Sequence, residues 1–520
     1  MKRNLLLIIG VLTYAYSLAQ GEIDAFRLSG TDLKGTARGQ AMGGAFGALG
    51  GDMTGIFVNP AGIGVYRSSE VNATMSLNST NIETQWEKSI NNNGSSKFNF
   101  DNVSYIGYYP VGRNNLQSVN FGFSYNREKN FNRNYSASGK EMNTSLTDYI
   151  ENITYGKNMN DLKSSDAYNI PDIPWLSLLG IDGALLVESE DKSEYISCLA
   201  FEELVSPRLN VSEKGYMDNY DFSLGANFSN SLYLGMTLSL TDIYYRMDAR
   251  YTEDFNKGGF LLENYLQTEG SGFQINLGAI WHPVDFLRLG IAYHSPTWMS
   301  LSDFYRGTVD SDLQQSEGIA YSTPDASLSY RFHSPYSWVF SAAGILGTKA
   351  VISVDYEIKD YRAMNLDDPY SSALNSFEGQ NKGIDANFKK ASILKTGLEY
   401  RFTPQFSGRL GYARFENPYE KNFKENKKEV ITAGTIPHYT IEGDIHYFTA
   451  GIGYRFTPNF YIDAAFIYRT QKDDLYFFPY IETNRPNKPD DRETPEPYYP
   501  IAASFANTSY KGLVTLGYKF

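Results

Sequence analysis

The sequence predicts an all-β transmembrane barrel of about 14 antiparallel strands, with an N-terminal plug inside its lumen. Three observations support this fold class: the chain begins with a secretory signal, apolar and polar residues alternate over strand-length segments, and the connections are in turn short and long. Aromatic residues make up 15% of the 520 residues, which suits the aromatic girdles of such barrels. The mean hydropathy of −0.39 fits as well, because only alternate strand residues face lipid.

Residues 1–20 form the predicted signal peptide. Lys2 and Arg3 provide its positive n-region, residues 5–12 its apolar h-region, and Ala19 the small residue at the cleavage site. No later run of about 18 apolar residues occurs, so we expect no transmembrane helix. A secreted chain with these strands is expected in the outer membrane of a Gram-negative bacterium.

The last segment, LVTLGYKF, alternates like an amphipathic strand and ends on an aromatic residue. We interpret that residue, Phe520, as the insertion signal that the barrel-assembly machinery reads. One set of side chains would face the outer-membrane lipids and the other the lumen. The outward set is Val514, Leu516, Tyr518 and Phe520, and the inward set is Leu513, Thr515, Gly517 and Lys519.

Residues 21–67 form the predicted plug, or hatch. Most of this segment is crowded with Gly and Ala and shows almost no β-alternation, as in AMGGAFGALGG. Such a run does not favour a free helix, because each Gly costs roughly 1 kcal/mol relative to Ala. Small residues do allow backbones to pack closely against a surrounding wall, so we expect short helices and turns inside the barrel.

Residues 68–520 form the predicted barrel. Its candidate strands are 68–79, 98–109, 118–127, 219–229, 232–246, 270–282, 286–297, 326–346, 349–362, 391–402, 405–416, 443–456, 459–471 and 503–520. The short connections, such as SNS, HPVD, LGTK, TPQ and TPN, would be periplasmic turns. Long extracellular loops are expected at 80–97, 128–218, 247–269, 298–325, 363–390, 417–442 and 472–502, of which 128–218 and 472–502 stand out in length or composition.

Gly122 is singled out within the candidate strand 118–127. Val119, Phe121 and Phe123 there alternate with a small and polar set to which Gly122 belongs. We interpret Gly122 either as a space-saving lumen residue or as a kink that opens the wall.

Residues 172–186, DIPWLSLLGIDGALL, are too apolar for a solvated loop. If helical, they would form an apolar patch over the barrel mouth, and an exposed patch of this kind marks a ligand groove or a protein interface. The alternative is that the patch packs the loop onto the rim. The candidate ligand-binding residues are Trp175, Leu176, Leu178, Leu179, Leu185 and Leu186.

The net charge of −13 argues against nucleic acid as a partner. Cys198 is the single cysteine, so no intrachain disulfide can form, and its apolar context favours a buried, inert thiol. We find no HExxH, no G-x-S-x-G and no P-loop, so we expect no enzyme activity, no cofactor and no metal site. The acidic pairs at 367–368, 473–474 and 490–491 are interpreted as solvated loop charges rather than calcium ligands.

A recognisable signature lies at the end of the Gly/Ala-rich segment. Asp52 is followed by the motif Asn59-Pro60-Ala61-Gly62 and then by the first candidate strand. This arrangement resembles the hatch of the FadL family of outer-membrane transporters for long-chain fatty acids and other hydrophobic compounds. The segment WHPVDFLRLGIAYHSP, residues 281–296, is similar to a strand-turn-strand unit of the same family.

The resemblance implies a passive outer-membrane channel whose ligand is a hydrophobic or amphipathic small molecule such as a long-chain fatty acid. It also implies that Asp52 and Asn59–Gly62 belong to the hatch motif. FadL-like barrels include a branch that serves type IX secretion, so a protein-binding adaptor is the alternative. The loops 128–218 and 472–502 would then be protein-binding surfaces.

Overall fold

The computed structural model describes residues 21–113, 115–170, 173–200, 203–256, 258–313, 320–369, 377–425, 430, 432–479 and 501–520. The predicted signal peptide, the acidic pair 490–491 and most of the predicted loop 472–502 lie outside these described residues.

The wall consists of antiparallel strands that pair in sequence order and close on themselves. The strands are β1 (Glu70–Trp86), β2 (Ser89–Arg113), β3 (Leu116–Asn130 with Arg133–Ser138), β4 (Ser206–Phe228), β5 (Leu232–Phe255), β6 (Gly258–Val284), β7 (Leu287–His294 with Trp298–Ser311), β8 (Tyr321–Ser322, Ala326–His333 and Ser337–Leu346), β9 (Ala350–Asp360 with Asn365–Asp367), β10 (Lys390–Arg401), β11 (Phe406–Phe415), β12 (Tyr439–Ile441 with Ile445–Arg455), β13 (Phe460–Tyr476) and β14 (Ala503–Lys519). Strand β14 pairs with β1 from Glu70↔Lys519 to Gln85↔Ser504, and the Phe520 N–H donates to the Ser69 carbonyl at 3.0 Å. The described residues therefore form a closed barrel of 14 strands, as predicted.

The helices and 3-10 turns lie inside the barrel or above one end of it. They are α1 (Glu22–Ser29), α2 (Ala37–Ala41), α3 (Met53–Val58), α4 (Leu146–Thr154), α5 (Met159–Leu162), α6 (Trp175–Asp182), α7 (Glu378–Asn387) and α8 (Lys421–Lys424), with 3-10 turns at Pro60–Val65, Ala167–Asn169 and Tyr361–Ala363. A small hairpin pairs Leu186–Glu188 with Tyr195–Ser197. Among the described helices, none has the length and apolar character needed to cross a bilayer.

The strands on one side run far beyond their predicted ends. The connections predicted at 80–97 and 247–269 are wrong, because β1–β2 and β5–β6 continue there as paired hairpins. The predicted loop 128–218 likewise begins and ends as strand. Polar residues on the outer face of these extensions hide the alternation in the sequence, although the inner face stays apolar, as at Tyr245, Met247 and Tyr251.

Side-chain directions along the strands follow the predicted alternation. Val514, Leu516 and Tyr518 are 41%, 38% and 52% exposed on the outer face, whereas Leu513 and Thr515 are buried. On β5 the outward residues are apolar from Leu232 to Leu240 and polar from Asp242 onward. The apolar stretch marks the lipid band, and the polar stretch stands above it.

The upper half of the barrel is filled by an outer cap, which we define as residues 139–170, 173–200, 203–205 and 432–438. The inward residues of the extended strands and the cap helices share one large apolar core that includes Ile150, Leu209 and Tyr305. The long-loop end of the barrel is thus occupied by packed side chains.

The hatch, residues 21–66, lies within the lower lumen and touches the wall through rows of glycine. Gly225, Gly235 and Gly278 are direct cross-strand neighbours on β4, β5 and β6. A Cβ atom on Gly235 would lie 2.2 Å from the Pro60 carbonyl oxygen, and one on Gly225 would lie 2.3 Å from the Ile63 side chain. Only glycine allows the hatch backbone to approach the wall this closely.

A second glycine contact lies across the lumen. Gly397 and Gly411 are paired on β10 and β11. A Cβ atom on Gly411 would lie 2.1 Å from the Gly43 amide nitrogen, and one on Gly397 would lie 2.5 Å from the Met42 carbonyl oxygen. The hatch therefore lies between two glycine patches of the wall, which we call the glycine seats: Gly225, Gly235 and Gly278 on β4–β6, and Gly397 and Gly411 on β10–β11.

We expect Gly235→Val to displace the hatch without opening the barrel. The new side chain collides with hatch backbone, whereas Gly512→Val is a matched control because nothing lies within 4 Å of a Cβ at that strand position. Amide hydrogen exchange of residues 53–65 should accelerate in the first variant and stay unchanged in the second. Both variants should still show the change of gel mobility on heating that marks a folded barrel. Equal amide protection of residues 53–65 in the two variants would contradict the close contact between the hatch and Gly235.

Candidate functional site

The hatch motif begins with Asp52, which caps helix α3. Its carboxylate accepts hydrogen bonds from the Thr54 N–H at 2.9 Å and from the Thr36 hydroxyl at 2.8 Å. Such a cap satisfies a donor that the helix itself leaves unpaired. Because Thr36 in turn caps α2, one carboxylate connects the start of two hatch helices.

Asn59 is the most connected residue of the motif. Its side-chain oxygen accepts from the Ala61 N–H at 3.1 Å, and its amide group donates to the carbonyls of Gly47 at 2.8 Å and Ala279 at 3.1 Å. Pro60 occupies the first position of the following 3-10 turn, where its missing N–H costs nothing. The side chain of Asn59 therefore joins two hatch segments to strand β6.

The remaining motif residues need to be small. Ala61 is fully buried, and a Cβ on Gly62 would come within 3.3 Å of the Gly50 Cα atom. The close approach of these two hatch turns explains why the sequence keeps small residues there.

A buried ion-pair network ties the hatch to the wall at the short-turn end. The Arg38 guanidinium donates two hydrogen bonds to Glu399, at 2.8 and 3.0 Å. Arg409 donates to the same carboxylate at 2.7 Å and also to Asp463. Bidentate arginine contacts of this type are both strong and directional.

Two lysines from different strands hold the C-terminal end of α1. Lys129 donates to the Arg27 carbonyl at 2.8 Å, and Lys359 donates to the Ser29 carbonyl at 3.0 Å. The last carbonyls of a helix lack partners within the helix and carry partial negative charge. Both lysines thus stabilise the hatch while facing the lumen.

A luminal cavity next to the hatch has a volume of about 220 Å³ and two different faces. Its apolar face comes from the hatch and strands β10–β13, which also add polar side chains such as Lys34 and Arg469, whereas β2, β3 and β14 contribute only polar residues. The apolar face comprises Leu33, Ile393, Phe415, Ile445, Tyr447 and Ile467. The polar face comprises Asp101, Arg127, Glu128, Lys129, Arg133 and Lys511.

A second cavity of about 90 Å³ lies on the other side of the hatch, towards β7–β9. The hatch segment 30–34 lines both cavities. This segment therefore forms the partition between them.

Of the two interpretations of residues 172–186, an exposed patch or a packed one, the structure agrees with the packed one. Residues 175–182 do form a helix, α6, but its apolar side chains pack in the core of the outer cap. Trp175 donates its indole N–H to the Tyr168 carbonyl at 3.0 Å, and its ring lies 6.3 Å from that of Tyr305. The buried residues are Trp175, Leu176, Leu178, Leu179, Leu185 and Leu186, each at most 6% exposed. Their contact with a ligand stays a prediction.

The interpretation of Gly122 as a wall kink is wrong. Its pairing with Ile106 on one side and Ser223 on the other continues the register of the neighbouring residues without a shift. A Cβ there would lie 2.9 Å from Ile63 of the hatch, so Gly122 makes room inside the lumen.

Other predicted features are placed as follows. Phe520 is 59% exposed at the edge of the barrel, and its role as an insertion signal stays a prediction. Burial raises the pKa of the Cys198 thiol to about 12, which disfavours a nucleophile. Asp473 is buried rather than solvated, and its carboxylate accepts a hydrogen bond from the Gly443 N–H at 2.8 Å. Within the described residues, no three His, Cys, Asp or Glu side chains form a group able to hold a metal ion.

Comparison with known proteins assigns the fold to a family. The sequence model of the family described as outer membrane protein transport protein (OMPP1/FadL/TodX) matches residues 209–476, a little over half of the chain. The chain belongs to this family. It is accordingly an outer-membrane protein, and the members of the FadL/TodX family are transport channels rather than enzymes.

Solved structures and one curated relative are similar to this chain to different extents. The crystal structure of a Pseudomonas aeruginosa FadL homologue is 13% identical, with a TM-score of 0.53 over 94% of this chain and 99% of that chain, which shows the shared fold. The crystal structure of the P. putida toluene transporter TodX is 12% identical, with a TM-score of 0.49 and the same coverage. A 47 kDa outer membrane protein of Pasteurella multocida (strain Pm70) is 25% identical over 222 residues, 41% of this chain and 46% of that protein. The chain thus matches less than half the length of this curated relative.

Several residues of the site were not singled out by the sequence. Lys129 and Lys359 look like ordinary charged residues until the strand register shows that they face the lumen. Arg38 gives no signal until the hatch helix α2 is placed against Glu399 of the wall. Lys129 follows the inward set Asn120–Asn126 across a bulge between Arg127 and Lys129, so simple alternation points it the wrong way. A charge on an inward position of a barrel strand is the signal that would have found Lys359.

We expect Asn59→Ala to loosen the hatch. The change removes the side-chain donor to the buried carbonyl of Gly47, and leaving such a group unsatisfied costs about 1–3 kcal/mol. Because 1.4 kcal/mol corresponds to a factor of ten, amide exchange of residues 45–62 should accelerate at least about tenfold. Asn81→Ala, at an exposed outer position of β1, is the control and should leave the hatch unchanged. Equal exchange in both variants would reduce the motif to a simple turn.

Proposed function

We propose that this protein is a passive outer-membrane channel for amphipathic small molecules with an apolar body and an anionic head, such as long-chain fatty acids. The single observation that carries this proposal is the two-faced luminal cavity. Members of the FadL/TodX family are transport channels, which supports passage rather than chemistry.

The apolar face of the cavity suits an acyl chain. Ile393, Phe415 and Ile467 are buried in the cluster that also contains Leu33 of the hatch. Burying apolar surface contributes roughly 25 cal/mol per Å², so a chain lying here gains affinity without directional contacts.

The polar face suits a head group. Arg127, Arg133 and Lys511 already pair with Asp218, Glu213 and Asp101. Lys129 instead donates to a backbone carbonyl and is in no ion pair within the described part of the chain. It is therefore the cation on this face that a ligand carboxylate would meet at the lowest cost.

Passage beyond this cavity requires movement of the hatch. The segment 30–34 separates the two luminal cavities, and the glycine seats and the Arg38–Glu399 pair hold the rest of the hatch. A ligand in the first cavity lies against α1 and this partition, where its binding can shift them.

The double variant Ile393→Ser, Phe415→Ser tests the cavity. One buried side chain of this size contributes roughly 1.5–3 kcal/mol, so we expect the affinity for palmitic acid to fall at least about tenfold. Binding is measured on the purified barrel by displacement of a fluorescent fatty acid. Val187→Ser, an exposed apolar residue of the outer hairpin, is the matched control and should bind as the parent does.

The head-group preference is tested with the methyl ester of the same acid. The parent should bind the acid more tightly than the ester, and Lys129→Gln should reduce that difference.

Unchanged affinity in the Ile393/Phe415 variant would remove this cavity from the transport path. A secreted protein retained on the outer cap, together with no binding of amphiphiles by the parent, would favour the adaptor function instead.

A further inference from the structure

The short turns at the periplasmic end carry a repeated basic residue. The segments YRFTPQF and YRFTPNF place Arg401 and Arg455 at the same position of two β-turn units. In both units the arginine ends a strand and is followed by an outward aromatic residue, Phe402 or Phe456, which is 61% or 56% exposed. The aromatic residues suit the membrane interface, and the arginines occupy the inward positions.

The two turns are neighbours in the wall. The Arg455 N–H donates to the Gln405 carbonyl at 2.9 Å, and Ser407 faces Gly453 across the β11–β12 pair. Arg401 pairs with Ser407 across β10–β11. The backbones of both arginines thus lie on the same rim of the barrel, two strands apart.

Both side chains line a periplasmic vestibule, a cavity of about 170 Å³ beneath the hatch. The vestibule is also lined by Arg38, Arg409 and Lys519 and by four carboxylates: Asp52, Glu70, Glu399 and Asp463. The cations therefore outnumber the anions in a chain whose net charge is −13.

The four carboxylates are already engaged. Glu399 is shared by Arg38 and Arg409, and Asp463 accepts from Arg409. Glu70 accepts from the Tyr461 hydroxyl at 2.6 Å and lies 3.4 Å from Lys519, while Asp52 caps α3.

Arg401 and Arg455 are exposed to the vestibule. Neither forms an ion pair in the part of the chain that the structure describes. They are the cations of the vestibule whose guanidinium groups have no anionic partner.

We propose that Arg401 and Arg455 form an anion-binding site at the periplasmic mouth, which takes the carboxylate or phosphate head of an acyl-chain amphiphile. Guanidinium groups match the planar, two-oxygen geometry of both heads. The proposal rests on the proposed function where the head belongs to a leaving ligand. A phospholipid of the periplasmic leaflet offers the same chemistry from the outside, next to the exposed aromatic residues.

The position of the site gives it a role in release. It lies on the same vestibule as the Arg38–Glu399 pair that fastens the hatch. An amphiphile that passes the hatch meets a second set of cations before it reaches the periplasm. Its head group therefore moves from the cations of the luminal cavity to those of the vestibule before it enters bulk water.

The test counts bound dodecyl phosphate by native mass spectrometry of the full-length barrel in a neutral detergent. The parent should bind two equivalents, one in the luminal cavity and one in the vestibule. Arg401→Gln, Arg455→Gln should bind one, whereas Lys349→Gln should bind two. Lys349 is the matched control, because its carbonyl accepts from the Arg401 N–H at 2.7 Å while its side chain does not line the vestibule.

Additional variants and ligands test the vestibule site independently of the proposed channel function and identify the source of the head group. The double variant Ile393→Ser, Phe415→Ser should lose the dodecyl phosphate bound in the luminal cavity and keep the one bound in the vestibule. If it still binds two, the channel proposal is contradicted but the vestibule site is not. If the parent co-purifies with phosphatidylglycerol and the Gln double variant does not, the site binds membrane lipid. If the parent retains no lipid and the Gln double variant loses binding of added lauric acid and dodecyl phosphate, the site binds the transported amphiphile. Arg401→Lys, Arg455→Lys should retain the second equivalent with weaker affinity. Identical numbers and affinities in the parent and the Gln double variant, with native gel mobility in both, would overturn the proposal.

Discussion

The structure depends on one constraint: in a bilayer, every backbone N–H and C=O group must find its partner within the protein. The ladder from β1 to β14 meets this constraint by closing on itself, and no edge remains among the described strands. Closure then creates an interior that must be filled. In this protein the lower part is filled by the hatch and the upper part by the outer cap, and the interior that the structure describes holds small cavities between these packed parts.

The way in which the hatch is held follows from the same ladder. The strand backbones of a closed wall already pair with one another, so the hatch cannot dock as a further strand. It approaches instead at glycine positions such as Gly235 and Gly411, where two backbones can touch, and it is fixed by side chains such as Asn59 and Arg38 that reach across the gap. Contacts through a few polar side chains can be exchanged for contacts with a ligand, whereas a packed apolar core cannot.

The sequence predicted the closed barrel because alternation and terminal features are local properties of strands. It did not predict the height of β5 and β6, since the polar residues from Asp242 onward remove the hydropathy contrast on the outer face. It suggested a helix at Trp175 but left open whether that helix is exposed or packed, because the covering residues, such as Tyr305, are distant along the chain. The pairing of Arg38 with Glu399 and the two faces of the cavity depend on register across several strands, which no single segment of sequence contains.

The tall wall has a consequence for how molecules reach the channel. The stretch of β5 from Asp242 to Phe255 is roughly 45 Å long at about 3.3 Å per residue, and even when tilted it rises by a distance comparable with the thickness of the bilayer core. Its outer surface is charged at Arg246, Asp248 and Arg250. The top of the barrel therefore stands in water beyond the lipid band, and a hydrated wall separates it from the outer leaflet.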